Sequence, residues 1–328
     1  MIDFNNLPDN AINNQVFYGT ADIANWQTWQ KPKNCKYVYI LAIGSGGGGG
    51  GGRRSASNSA AGGGGGGSGG VVTGFFQAFL LPDTLYIQVG KGGDGGASQS
   101  TGANGGNGGA GETTYVAIAA TTSAACIVVQ TGNAPAGGGA GGTTTTGTLG
   151  AAETLWTETG SALASVGQIS AQAGQAGSTG TISTSNAGSI TVNKIVSAGA
   201  GGGGTSAGST VTNGGSIIGG GLVPTLSGIS GNAPVGSLTV ADAPPGFITR
   251  MPGKSYTSRE PLIFTGGAGT GGVASTGTGA IVRAGKGGDG SIGSGGGGGG
   301  GANNTTGTLA VSGAGGRGGD GIVIITCF

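Results

Sequence analysis

Residues 36–45 read Lys36-Tyr37-Val38-Tyr39-Ile40-Leu41-Ala42-Ile43-Gly44-Ser45, and every position from Gly46 to Gly52 is then glycine. The first half is a β-branched and aromatic run of strand length. The second half carries no side chains. A strand that passes directly into bare backbone needs a fold in which both have a packing partner. Six further glycines occupy 62–67, and seven more occupy 295–301. Isolated tracts of this kind behave as flexible linkers, because glycine loses the most conformational freedom on ordering. Laid side by side, they can form left-handed three-residue helices that bond through outward-pointing N–H and C=O groups. Weak Cα–H···O contacts would add to that cohesion.

Composition favours the second outcome. The chain has 328 residues, of which 85 are Gly, 35% hydrophobic and 8% charged, with a formal net charge of +1. Disorder usually accompanies high charge as well as low hydrophobicity, and here both are low. Backbone hydrogen bonding is left as the main source of cohesion. The predicted fold is mainly β with little or no α-helix. Terminal strands form a small antiparallel β-sandwich, and long Gly-rich excursions pack as a polyglycine II-like bundle.

Further strands are expected at 73–81, 85–89, 113–118, 126–129 and 321–328, with Pro82-Asp83-Thr84 as a turn. The chain divides into an aromatic segment at 1–35 for docking or packing, and strands with Gly tracts at 36–131. A Gly/Thr/Ser-rich insertion with an exposed loop at 241–264 covers 132–280. A Gly tract and closing strand follow at 281–328. Within 1–35, Trp26, Trp29, Phe17 and Tyr18 are candidates for core packing or for docking to a partner.

Several function classes are excluded. Without histidine there is no Ser-His-Asp or Cys-His triad and no His-based zinc site. Cys35, Cys126 and Cys327 are an odd, widely spaced set, expected to be small buried hydrophobes rather than a disulfide framework. Glu153 and Glu158 could form a glycosidase-type carboxylate pair, but with 12 acidic residues in all the chain is expected not to be an enzyme. No cofactor or metal is expected. Near-neutral charge argues against nucleic acid, and no 18-residue apolar run escapes being mostly glycine, which argues against membrane insertion. The first residues lack a signal-peptide pattern, so synthesis in the cytoplasm is expected.

Basic-Gly-Gly-Asp-Gly occurs three times, at Lys91/Asp94, Lys286/Asp289 and Arg317/Asp320. It is read as a repeated turn or ion pair where a Gly tract meets the β-core. Its spacing does not match the calcium-binding β-helix repeat. Loops on a rigid scaffold are where binding residues concentrate. Candidates for receptor or partner contact are therefore Arg53 and Arg54, Trp156, and Phe247, Arg250 and Tyr256. A local packing anchor is the alternative for Trp156.

Two stretches carry a family resemblance. Asn25-Trp26-Gln27-Thr28-Trp29-Gln30-Lys31-Pro32 leads through the first strand into poly-Gly, and Gly315-Gly316-Arg317-Gly318-Gly319-Asp320-Gly321 precedes a terminal apolar strand. This order resembles the glycine-rich virion proteins of tailed bacteriophages, including tail-fibre proteins and tail-tip adhesins, over 22–110 and 280–328. The resemblance implies a polyglycine II sandwich whose distal loops touch the host, at the virion surface. The implied partners are other tail or capsid proteins and a bacterial surface polysaccharide or outer-membrane receptor. A capsid fibre or decoration protein is the alternative. Copy number is open, trimers included.

Overall fold

The computed structural model describes residues 13–20, 25–56, 59–157, 167–182, 187–192, 196–206, 211–219, 241–242, 275–277, 281–304 and 309–328. It is mainly β, with antiparallel sheets at its base. Nine strands build that base: β1 (Asn13–Tyr18), β2 (Gln27–Gln30), β3 (Tyr37–Ile43), β4 (Val71–Gln77), β5 (Thr84–Gln88), β6 (Tyr115–Ala117), β7 (Ile127–Gln130), β8 (Gln168–Gln172) and β9 (Ile322–Cys327). One sheet has the order β1-β9-β3-β4-β8, the other β2-β5-β6-β7. All neighbours in both sheets are antiparallel.

Alternation sets the faces. Val38, Ile40 and Ala42 point inward from β3, with Val323 and Ile325 from β9 and Val72 and Phe76 from β4. The second sheet answers with Trp29, Leu85, Ile87, Val116 and Val129. The opposite face of the first sheet is covered at one end, where Leu41, Ile43, Val71, Ile322 and Ile324 pack with Val196. The expected sandwich of terminal strands is thus present, extended by β8 from the middle of the chain.

The strands do not stop at the sheet edge. The backbone after β3 continues straight through 44–53, and its N–H groups point to three neighbours in rotation. Gly47 and Gly50 donate to Gly67 O and Gly64 O, Gly48 and Gly51 to Gly109 O and Gly106 O, and Gly49 and Gly52 to Gly316 O and Gly313 O. These bonds span 2.8–2.9 Å. Each neighbour is met every third residue. The carbonyls repeat the pattern towards three more segments: Gly93 and Gly96 donate to Gly46 O and Gly49 O, Gly139 and Gly142 to Gly48 O and Gly51 O, and Gly296 and Gly299 to Gly47 O and Gly50 O. The 46–52 tract therefore has six neighbours, three receiving its N–H groups and three supplying its carbonyls.

The 62–67 tract is also surrounded. It donates to 137–140, 178–181 and 296–299, and accepts from 47–50, Gly150 and 199–202. The tracts 46–52, 62–67 and 295–301 bond to one another pairwise, through Gly47 to Gly67, Gly63 to Gly299 and Gly296 to Gly47. The longest glycine tracts thus form the middle of the lattice. A Cβ added at Gly47 would lie 2.1 Å from Gly137 O, and one at Gly49 would lie 2.0 Å from Gly297 O. Among the described glycines only Gly293 has a positive φ, at 70°. Glycine is required here for its missing side chain, not for its access to left-handed backbone.

Among the described residues, at least five excursions run out and return beside themselves. They are 44–53 with 61–70, 91–97 with 106–111, 136–143 with 147–153, 197–204 with 212–217, and 294–301 with 312–320. Segments in the outer layer show a simpler rule. In 91–97 the positions other than glycine are Lys91, Asp94 and Ala97, and in 104–110 they are Asn104, Asn107 and Ala110. A period of three puts those side chains on one face and leaves the glycines to pack inward.

Candidate functional site

The lattice has two ends of opposite character. At the sandwich end, strand spacing passes into rod packing through a collar of polar groups. Ser45 Oγ lies 2.8 Å from both Lys91 O and Glu112 O and accepts the Glu112 N–H. The Lys91 N–H donates to Glu112 Oε2 at 2.9 Å. Glu153 is fully buried. Gly70 N–H donates to its Oε2 at 2.5 Å, and the Thr131 hydroxyl donates to its Oε1 at 2.8 Å. Burial pushes this carboxyl from 4.5 up to about 7, outweighing the lowering effect of those bonds. A Cβ on Gly44 would lie 1.9 Å from Glu153 Oε2, so glycine is what admits the carboxylate.

The three basic-Gly-Gly-Asp-Gly copies are not turns. They are straight outer-layer segments lying side by side. Gly290 donates to Arg317 O, and Gly318 donates to Gly93 O. Asp289 Oδ1 accepts the Arg317 N–H at 2.8 Å, and Asp320 Oδ1 accepts the Gly92 N–H at 2.8 Å. Each of these aspartates caps a backbone donor on the next segment while pairing with the basic residue three positions earlier. The ion-pair reading therefore describes Lys286–Asp289 and Arg317–Asp320. A cleft of about 340 Å³ lies beside this ladder, lined by Tyr18, Ile292, Asp289, Arg317 and Asp320 among others. Among the described residues no cluster of three metal-ligating side chains occurs.

Several expected contact residues sit elsewhere than on a surface. Trp156 is 6% exposed and belongs to the sandwich core. Its ring has no free face for a sugar, so packing is its role. Trp29 and Phe17 are likewise buried between the sheets and cannot dock a partner. Trp26 is half-buried, and Tyr18 is exposed at the edge of the first sheet. Phe247, Arg250 and Tyr256 lie outside the described residues, as does Glu158. The cysteines depart from expectation: Cys35 and Cys327 form a disulfide with Cα atoms 5.7 Å apart, while Cys126 is free. The register of β3 against β9 sets Val38 opposite Cys327, which carries the turn at 32–35 to the last residues of the chain. Sequence separation hides that proximity.

The far end collects the remaining functional candidates. Arg54–Ser55 and Ala302–Asn304 pair in parallel there, with Ala302 opposite Arg54 and Asn303 opposite Ser55. Arg53 and Arg54 are half-buried. The Arg53 guanidinium donates to Asn104 Oδ1, which ties the segment at 98–104 to that at 53–55. Asn303 is fully buried, and its relevance was not visible in sequence because nothing marks it out from neighbouring Asn304.

The chain belongs to the glycine-rich domain family, whose model matches residues 20–237. No curated protein matches it.

Proposed function

We propose that this is a structural protein of a phage virion, a tail-fibre or tail-tip adhesin component that presents loops for host-surface binding. The observation that carries this reading is the six-neighbour lattice of 46–52. It extends the sandwich without a hydrophobic centre and ends in the tips of out-and-back excursions. At about 3.1 Å per residue, seven residues carry those tips roughly 20 Å from the sheets. We read the lattice as polyglycine II, supported by its three-residue period and by the near absence of positive φ among its glycines. Side-chain chemistry along the shaft is sparse, which leaves the tips as the natural place for recognition.

The sandwich supplies the other end, for attachment to virion neighbours. Its outer surface exposes Tyr37 stacked on Phe75 at 5.4 Å, together with Phe79 and Phe328. The disulfide fits a protein that works outside the reducing cytoplasm.

The test is competition. Purified full-length protein should block adsorption of phage to host cells at saturating concentration. No competition, with immunogold labelling over the head, would replace this account with a capsid fibre or decoration role.

A further inference from the structure

We propose that the far end of the lattice, between the 53–55 and 302–304 segments, binds an oxyanion: a carboxylate or phosphate carried on a surface glycan. This rests on the adhesin reading and names the chemistry of its ligand.

The first observation is unsatisfied polarity. Asn303 is completely buried, yet neither its Nδ2 nor its Oδ1 has a hydrogen-bond partner. The Nε atoms of Arg53 and Arg54 are enclosed in the same way. Buried polar groups are nearly always paired, and an exception calls for an explanation. Here three side chains on the adjoining 53–54 and 302–304 segments carry such atoms, and the unmet donors include the Nε–H groups of two guanidiniums. A ligand acceptor able to take two or more N–H bonds at once is the complement, and planar guanidinium matches carboxylate and phosphate in that way.

The second observation is charge segregation. Asp94, Asp289, Asp320, Glu112 and Glu153 all bond or lie in the half of the lattice near the sandwich, at the level of residues 44–48 in the central tract. Arg53 and Arg54 lie five or more residues further out. Arg283 is exposed in the strand Ile281–Arg283, which packs next to Ala302–Asn304. Asp242 is opposite Arg283 in the strand register and is the one acidic residue described at this end. In a chain of net charge +1, the far end is therefore locally cationic. A low-dielectric wall of backbone strengthens that field.

Full-length protein should be titrated with sodium glucuronate, inorganic phosphate and glucose, followed by amide and Arg side-chain NMR shifts at fixed ionic strength. Saturable shifts confined to 53–55, 104 and 302–304 are expected for glucuronate or phosphate and none for glucose. Which anion saturates first identifies the source. Arg54→Gln should weaken the effect at least tenfold with an unchanged melting temperature, and Arg53→Gln should do the same if Arg54→Gln fails to fold. Equal shifts with glucose, or none with either anion, would overturn the proposal. Cell binding by the same samples separates the two readings. Protein that adsorbs to cells but ignores both anions keeps the adhesin account and loses this site. Anion binding without adsorption keeps the site and loses the adhesin account.

Discussion

The sandwich and the glycine lattice hold together by opposite means. Between the sheets, Trp29, Phe76, Leu85 and Ile325 remove apolar area from water, worth roughly 25 cal/mol per Å². In the lattice, 46–52 removes almost no apolar area and satisfies backbone groups in six directions instead. The first region fails when atoms are taken away, and the second when atoms are added. A residue type that weakens an ordinary strand or helix by its entropy is here the only one that fits.

That contrast can be broken experimentally. Trp29→Ala should open a cavity between the sheets and cost about 4 kcal/mol, read from chemical denaturation. Gly49→Ala adds one methyl and should cost about 3 kcal/mol, because its Cβ would meet Gly297 O at 2.0 Å. Ala97→Gly, on the outer face, should change stability by well under that. If Gly49→Ala is silent, the lattice is not close-packed and the comparison fails.

The collar between the regions responds to pH. In the fold the Glu153 carboxyl holds its proton up to about 7, against 4.5 for the free group. Its stabilising contribution is therefore complete below pH 4.5, declines as pH rises through 4.5–7, and is lost above that window. The difference amounts to about 3 kcal/mol. Glu153→Gln should flatten the dependence, and the comparison of the two melting curves between pH 4 and 8 checks it. A parallel pair of curves would mean that the carboxyl is not desolvated.

The disulfide sharpens the sandwich side alone. It closes a loop of 292 residues, for which chain entropy sets an upper figure of about 5–6 kcal/mol, against about 2–4 kcal/mol for typical disulfides. Cys327→Ser should lower the denaturation midpoint by a matching amount, while amide exchange in 46–52 stays slow. Loss of protection in the tract would show that the lattice depends on the staple. The smallest effect is expected at the aspartate ladder. Asp289→Asn and Asp320→Asn each remove an exposed ion pair and should cost less than about 1 kcal/mol, measured by thermal melting in low and high salt.

Much of the base was legible in the sequence. The run 37–43, the pair around Pro82 and the closing run 322–327 are β-branched and apolar over strand lengths, so local chemistry and tertiary role agree. The glycine tracts were legible as candidates for lateral packing. Which tract meets which, and in what direction, was not, because identical glycines carry no register information. The three-residue spacing of Lys91, Asp94 and Ala97 did carry a signal for an outer segment, but its charges resemble a turn motif. Glu153 and Trp156 lie in a stretch with neither strand nor helix periodicity, so their burial arises only from the neighbours at Thr131 and the core. Asn303 is marked by what it lacks, which only three-dimensional placement reveals.

Several legs are prolongations of sheet strands: 44–53 continues β3, 61–70 runs into β4, and 312–320 runs into β9. A pull applied at the tips is therefore carried along the chain into the sheets, and across it by many N–H···O bonds loaded in shear at the same moment. No single bond lies at the head of a queue, as it would in an unzipping hairpin. The mechanical unit is the whole bundle, and its strength grows with the number of legs rather than with the size of any side chain.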